Sequence, residues 1–234
     1  MRDLPGRPSR RNFLKASAAS AAVAGLAAVP LKAEEQPEPV ALDAYTPICL
    51  KPSEWAFVVA AVARLIPSEG EGPGAIETRV PVFIDMQLAG DFGRAADWYM
   101  EGPHEADASP LRGWQTPLTP LQIYQQAIPV FDEWCRTIHG KIFAELDEAT
   151  QDQALTSLQK DEMKLHPEMR DFFSILLGNT KQGYFADPLY GGNHKMQAWT
   201  YIGFPGARGS YKEWVLKHNV KYPLGPVSIS GERA

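Results

Sequence analysis

Proline and glycine cut this chain into short segments, and inside those segments apolar residues recur at helical spacing. Twenty prolines and nineteen glycines among 234 residues mean that most helices are short and joined by shaped turns. No run of strand-type alternation appears, so the pattern predicts an all-α fold: an irregular helical domain with long loops rich in Gly, Pro and aromatic residues.

The first predicted helix starts at Ser53 as N-cap, with Glu54 in the first turn. Trp55, Val58, Val59, Val62, Leu65 and Ile66 follow at helical spacing, and Pro67 stops the run. After the Gly/Pro loop 68–74, a second helix is expected over Ala75 to Ala89, kinked or split at Pro81. Residues 90–118 read as an irregular loop pinned by Trp98, Tyr99 and Trp114, and a loop this long is usually functional. Thr119-Pro120-Leu121-Gln122 is a strong helix start, combining a cap, a proline at the first position and a capping box. That helix should reach about Leu146, bent at Pro129. Two more are expected, from Thr150 to near Lys160 and from Pro167 onward.

The N-terminus carries a different signal. Ser9-Arg10-Arg11-Asn12-Phe13-Leu14-Lys15 has the paired arginines, aromatic, leucine and lysine of a twin-arginine export peptide. An alanine-rich stretch from Ala16 to Val29 follows, closing on Leu31-Lys32-Ala33. It is too weakly apolar to be a stable transmembrane helix, which needs about 20 strongly apolar residues. The expected division is therefore a signal over 1–33, an extended polar linker over 34–51 and a helical domain over 52–234. Whether cleavage follows Ala33 is open, because Leu31 is larger than the small residue preferred there.

Removing six basic residues and one acid with the signal leaves 17 basic and 27 acidic residues, a net charge of −10. This disfavours nucleic acid and gives no attraction to anionic lipid heads. Cys49 and Cys135 would enter an oxidising compartment, where a mutual disulfide, a bond to another chain and a buried thiol are all open. Two cysteines cannot hold an iron–sulfur cluster, and no Cys-x-x-Cys-His attaches haem.

Catalytic patterns are sparse. Gly70-x-Gly72-x-Gly74 follows a helix with the wrong spacing for dinucleotide binding, and no Walker loop, His-Glu-x-x-His or Gly-x-Ser-x-Gly is present. Asp132 and His139 share a helix face but stand two turns apart, about 11 Å, too far for a direct acid–base pair. A solvated charged face explains Asp132, Glu133 and His139 better.

The segment 183–214 stands apart. Gly191-Gly192-Asn193 suits a tight turn with Asn193 capping the next helix, and Gly203-Phe204-Pro205-Gly206 ends that helix sharply. Tyr190, Trp199, Tyr201, Phe204 and Tyr211 surround these turns. They suit either a partner surface, where Trp, Tyr and Arg contribute most, or the core of a small C-terminal subdomain.

This segment resembles the small subunit (subunit 3, gamma chain) of membrane-bound gluconate 2-dehydrogenase. The resemblance rests on Asp187-Pro188-Leu189-Tyr190-Gly191-Gly192-Asn193 and Gly203-Phe204-Pro205-Gly206-Ala207, with Gly72-Pro73-Gly74-Ala75, Ile84-Asp85, Trp98-Tyr99 and Pro117-Leu118-Thr119-Pro120 upstream. It implies a non-catalytic subunit with no cofactor, catalytic residue or metal of its own. Its partners would be an FAD-bearing large dehydrogenase subunit, a multihaem cytochrome c subunit and, during export, the twin-arginine translocase. The small subunit would supply the signal, here Arg10, Arg11, Phe13 and Leu14, and help the flavoprotein fold and cross into the periplasm. The complex would then sit at the cytoplasmic membrane. The expected interface comprises Asp187, Tyr190, Gly191, Gly192, Asn193, Trp199, Phe204, Pro205 and Arg208, with Trp98 and Tyr99. The competing expectation is an independent secreted enzyme or metal protein using Asp187, Asn193 and His194.

Overall fold

The computed structural model describes residues 41–105 and 108–234. The signal residues Arg10, Arg11, Phe13 and Leu14, the Ala33 boundary and the start of the polar lead lie outside the described residues. Within them the fold is all-α, with six α-helices, short 3-10 turns and no strand. The helices are α1 (Pro52–Leu65), α2 (Val80–Ala89), α3 (Pro120–His139), α4 (Glu148–Gln159), α5 (Phe172–Phe185) and α6 (Gln197–Ile202).

Helix α1 is the centre. It packs against α2, α3, α4, α5 and the 3-10 turn Phe143–Glu145. Its inward residues Phe57, Val58, Ala61 and Val62 fall one turn apart in pairs, as a helix facing a core requires. Phe57 is fully buried, and its ring meets Phe131 of α3 at 5.7 Å, Phe143 at 5.1 Å and Phe172 of α5 at 5.9 Å. The Phe131 contact is edge-on, at 89°. Three segments distant in sequence thus converge on one side chain of α1.

The helix ends depart from the sequence expectation in instructive ways. Ser53 is not the cap of α1; Pro52 takes the first helical position and the Glu54 carboxylate reaches back to accept the Lys51 N–H at 2.8 Å. Helix α2 begins at Val80 and not Ala75, because Arg79 adopts a left-handed conformation (φ 60°) that a helix cannot pass through. Pro81 therefore lies in the first turn, where its missing N–H costs nothing, and neither kinks nor splits the helix. The capping box at Thr119 and Gln122 forms as expected. Helix α3 runs past Pro129, which faces solvent, but stops at His139 because Gly140 takes the left-handed cap (φ 79°). Asp147 caps α4, accepting the Thr150 N–H at 3.1 Å. Pro167 opens only a 3-10 turn, and α5 starts five residues later.

The loop 90–118 is irregular apart from the 3-10 turn Pro110–Arg112. Its aromatics hold it: Trp98 meets Phe92 at 5.7 Å and Trp114 at 4.8 Å, and the Trp114 indole donates to the Leu118 carbonyl at 3.2 Å.

Truncating Phe57 to Ala removes the one ring shared by α1, α3, α5 and the 143–145 turn. Equilibrium denaturation should show a loss of about 3–5 kcal/mol, the range for a fully buried Phe. A loss near 1 kcal/mol would mean that the core does not converge there.

Candidate functional site

The turn system after α5 is built by close approach. Gly191 is left-handed (φ 89°), and a Cβ there would stand 2.6 Å from the Met86 sulfur of α2. A Cβ on Gly192 would lie 2.2 Å from the Gly183 carbonyl oxygen. These two glycines let the turn press onto both α2 and α5, and the His194 N–H then bonds the Thr78 carbonyl at 3.1 Å.

The polar residues of the segment are spent inside it. Asn193 is fully buried; its amide donates to the Ala186 carbonyl at 2.9 Å and accepts the Ala198 N–H at 2.9 Å. It thus staples the end of α5 to the start of α6. Asp187 is buried as well, accepting the Leu189 N–H at 3.1 Å and the Ile229 N–H at 2.7 Å. Trp199 donates its indole N–H to the Phe185 carbonyl at 2.9 Å and packs edge-on against Phe204 at 5.0 Å. Arg208 donates to the carbonyls of Pro205 and Gly225.

This frame presents apolar side chains outward. Phe185, Leu189, Tyr190, Tyr201, Ile202 and Phe204 are all exposed. Trp199 is buried packing, whereas Tyr190 and Phe204 face solvent. Trp98 is part-exposed and Tyr99 is 77 % exposed on the 90–118 loop. Among the described residues no hydrogen bond or ring contact joins Trp98 or Tyr99 to the 183–214 segment.

Asp132, expected on a solvated face, is buried, whereas Glu133 is exposed. The Asp132 carboxylate accepts the Phe143 N–H at 3.0 Å, and burial raises its pKa. Gln151 donates to the Phe143 carbonyl at 3.1 Å, so the pair seats Phe143 in the core. Among the described residues no group of three or more His, Cys, Asp or Glu is placed to hold a metal ion. None of their helices is long and apolar enough to cross a membrane.

One polar residue with a large structural role carried no distinguishing sequence signal beyond being an acid amid apolar neighbours. Asp85 of α2 is fully buried. It accepts hydrogen bonds from the Tyr45 hydroxyl (2.8 Å) and from the N–H groups of Ile48 (2.6 Å), Cys49 (3.1 Å) and Leu50 (3.1 Å). The Cys49 thiol also donates to it at 3.4 Å. Cys49 and Cys135 are both free thiols, Cys135 fully buried. Burial, then the Asp85 charge, pushes the Cys49 thiol up to about 12; burial and Asp132 do the same for Cys135.

Because the thiolate is the reactive form, neither cysteine should react promptly with a disulfide reagent at about pH 8. Asp85→Ala leaves three backbone donors without their acceptor, so stability should fall by roughly 3 kcal/mol. Cys49 should then react faster than in the unaltered protein while Cys135 is unchanged, because burial, the larger cause, still raises both thiols. Rapid modification of Cys49 in the unaltered protein would contradict this geometry.

No curated protein and no solved structure matches the chain. A twin-arginine translocation signal model matches residues 7–27, which marks the chain for export. The model for gluconate 2-dehydrogenase subunit 3 matches residues 52–206, from the first turn of α1 to the glycine that follows Phe204-Pro205. The chain belongs to the gluconate 2-dehydrogenase subunit 3 family.

Proposed function

We propose that this chain is the non-catalytic small subunit of a gluconate 2-dehydrogenase-type complex and the export escort of its large subunit. The observation that carries the reading is the joining, in one chain, of a twin-arginine signal at 7–27 to a subunit 3 region at 52–206. In this reading a large FAD-dependent subunit oxidises a sugar or sugar acid, and a multihaem cytochrome c subunit takes the electrons. The complex is periplasmic and associates with the cytoplasmic membrane through the cytochrome.

The physical logic concerns timing. FAD is loaded in the cytoplasm, so the flavoprotein has to cross folded, and the twin-arginine translocase accepts folded cargo. A bound chain with Arg10-Arg11 can bring along a partner that has no signal of its own. Residues 1–33 then act as the signal, 34–51 as the lead and 52–234 as the partner-binding domain.

The surface proposed for the flavoprotein centres on Tyr190 and Phe204, exposed aromatics of the kind that anchor interfaces. Asp187, Gly191, Gly192, Asn193, Trp199, Pro205 and Arg208 form the frame beneath them. Trp98 and Tyr99 contribute a second contact region. The competing metal-protein reading loses support from the geometry: both oxygens of Asp187 and both ends of the Asn193 amide are taken by the chain's own backbone.

Replacing Arg10-Arg11 by Lys-Lys should hold both chains back. Fractionation is expected to find this chain and the flavin-bearing subunit together in the cytoplasm, with periplasmic dehydrogenase activity reduced to background. Normal export of the flavoprotein under that substitution would exclude the escort role.

A further inference from the structure

The net charge of the exported chain hides a local reversal. Residues 207–224 hold Arg208, Lys212, Lys217 and Lys221 against a single acid, Glu213, a net of +3 within a chain otherwise strongly acidic. Lys212, Lys217 and Lys221 have no carboxylate within ion-pair distance among the described residues. This stretch lies beyond the residues matched by the family model, which end at 206.

The same stretch forms a loop held at its base. The Trp214 and Tyr222 rings meet at 5.0 Å, and Tyr211 meets Tyr222 at 6.0 Å. The Tyr211 hydroxyl donates to the Gly206 carbonyl at 2.9 Å, and the Arg208 guanidinium lies 5.5 Å from the Tyr222 ring centroid. Lys217 sits over Trp214, its ammonium 4.1 Å from the ring centroid. Between these anchors the chain exposes Val215 (65 %), Leu216 (86 %) and Val220 (55 %), with Leu224 just past the base. A loop fixed by three aromatic rings, with aliphatic residues outward and lysines beside them, exposes apolar surface that water does not favour.

We infer that the 211–224 loop docks directly on an anionic phospholipid surface. Val215, Leu216 and Val220 enter the headgroup boundary, Trp214 and the tyrosines sit at its level, and Lys212, Lys217 and Lys221 face the lipid phosphates. Each element matches what an interfacial segment needs: exposed aliphatic residues, aromatic side chains with a polar end, and unpaired cations. An acidic protein surface would take the lysines too, but the lipid boundary also takes Leu216 and Val215 on the same exposed stretch as the lysines without a shaped apolar pocket to receive them. The inference does not depend on the dehydrogenase reading, and it makes the chain a membrane contact in its own right.

The test uses the exported protein with Leu216→Cys, labelled at that position with an environment-sensitive dye. The two native thiols, buried or held as thiols beside Asp85, leave the introduced thiol as the prompt site of reaction. Vesicles of phosphatidylethanolamine and phosphatidylglycerol should shift the dye emission to the blue, whereas vesicles of phosphatidylcholine alone should not. Adding Lys212→Glu and Lys221→Glu should weaken the response about tenfold or more, since each lysine near an anionic surface contributes appreciably to binding. Raised salt should act in the same direction. No shift with either vesicle, or an equal shift with both that ignores the charge reversals, overturns the inference. A shift induced only by the dehydrogenase large subunit also overturns it and assigns the loop to a protein interface.

Discussion

Asp85 is a carboxylate with no exposure to water, and it is stable there because an aromatic hydroxyl, three backbone N–H groups and a thiol point at it. An unpartnered carboxylate at that depth would cost several kcal/mol, so the residue and its donors form together or not at all. The donors all come from residues 45–50, which lead directly into α1, and α1 in turn carries Phe57 to the centre of the core. The neighbouring turns of α2 receive the other end of the chain. Val82, Phe83 and Met86 supply the atoms against which Gly183 and Gly191 close. One ten-residue helix therefore fixes both the segment that follows the export signal and the turn that displays Tyr190 and Phe204. The lead and the proposed partner surface both rest on α2.

The family resemblance of the Gly-Gly-Asn block has a physical explanation in this fold. Its glycines are required by distances that no Cβ could occupy, and its asparagine bridges two helices from a fully buried position. The identity of the block is thus mainly structural, and the aromatics it displays are those proposed for the partner surface. Such a division fits a chain whose work is binding. Its buried polar groups, including Asp85, Asp132, Asp187 and Asn193, hold backbone in place.

Much of the fold was legible in the sequence where local chemistry decides the outcome. The capping box at Thr119 was readable from a few residues, because its partners are three positions apart; of the stripe expected on α1 only Val58 and Val62 are buried, and the face is turned toward Phe57 and Ala61, which the spacing did not single out. The failures share one cause. The start of α2 moved to Val80 because Arg79 takes a left-handed conformation, and α3 ended early because Gly140 caps it before Asp132 seats Phe143. The carboxylate knot at Asp85 joins residues some 35 to 40 positions apart, and no spacing rule reaches that far. Asn193 does not sit at the cap of α6, which is Met196, but reaches the Ala198 N–H from three residues further back, and its bond to Ala186 depends on the path of α5. Charge behaved likewise: the net of −10 concealed a basic loop that emerges only when Trp214 and Tyr222 are seen to close it.

Whether this chain functions bound to a flavin-bearing partner is decided by gentle affinity purification of the exported chain, with an absorption spectrum and intact masses. The account predicts a larger chain recovered in comparable amount, with the absorption of bound flavin. A lone, colourless chain that oxidises a sugar or sugar acid by itself would contradict it.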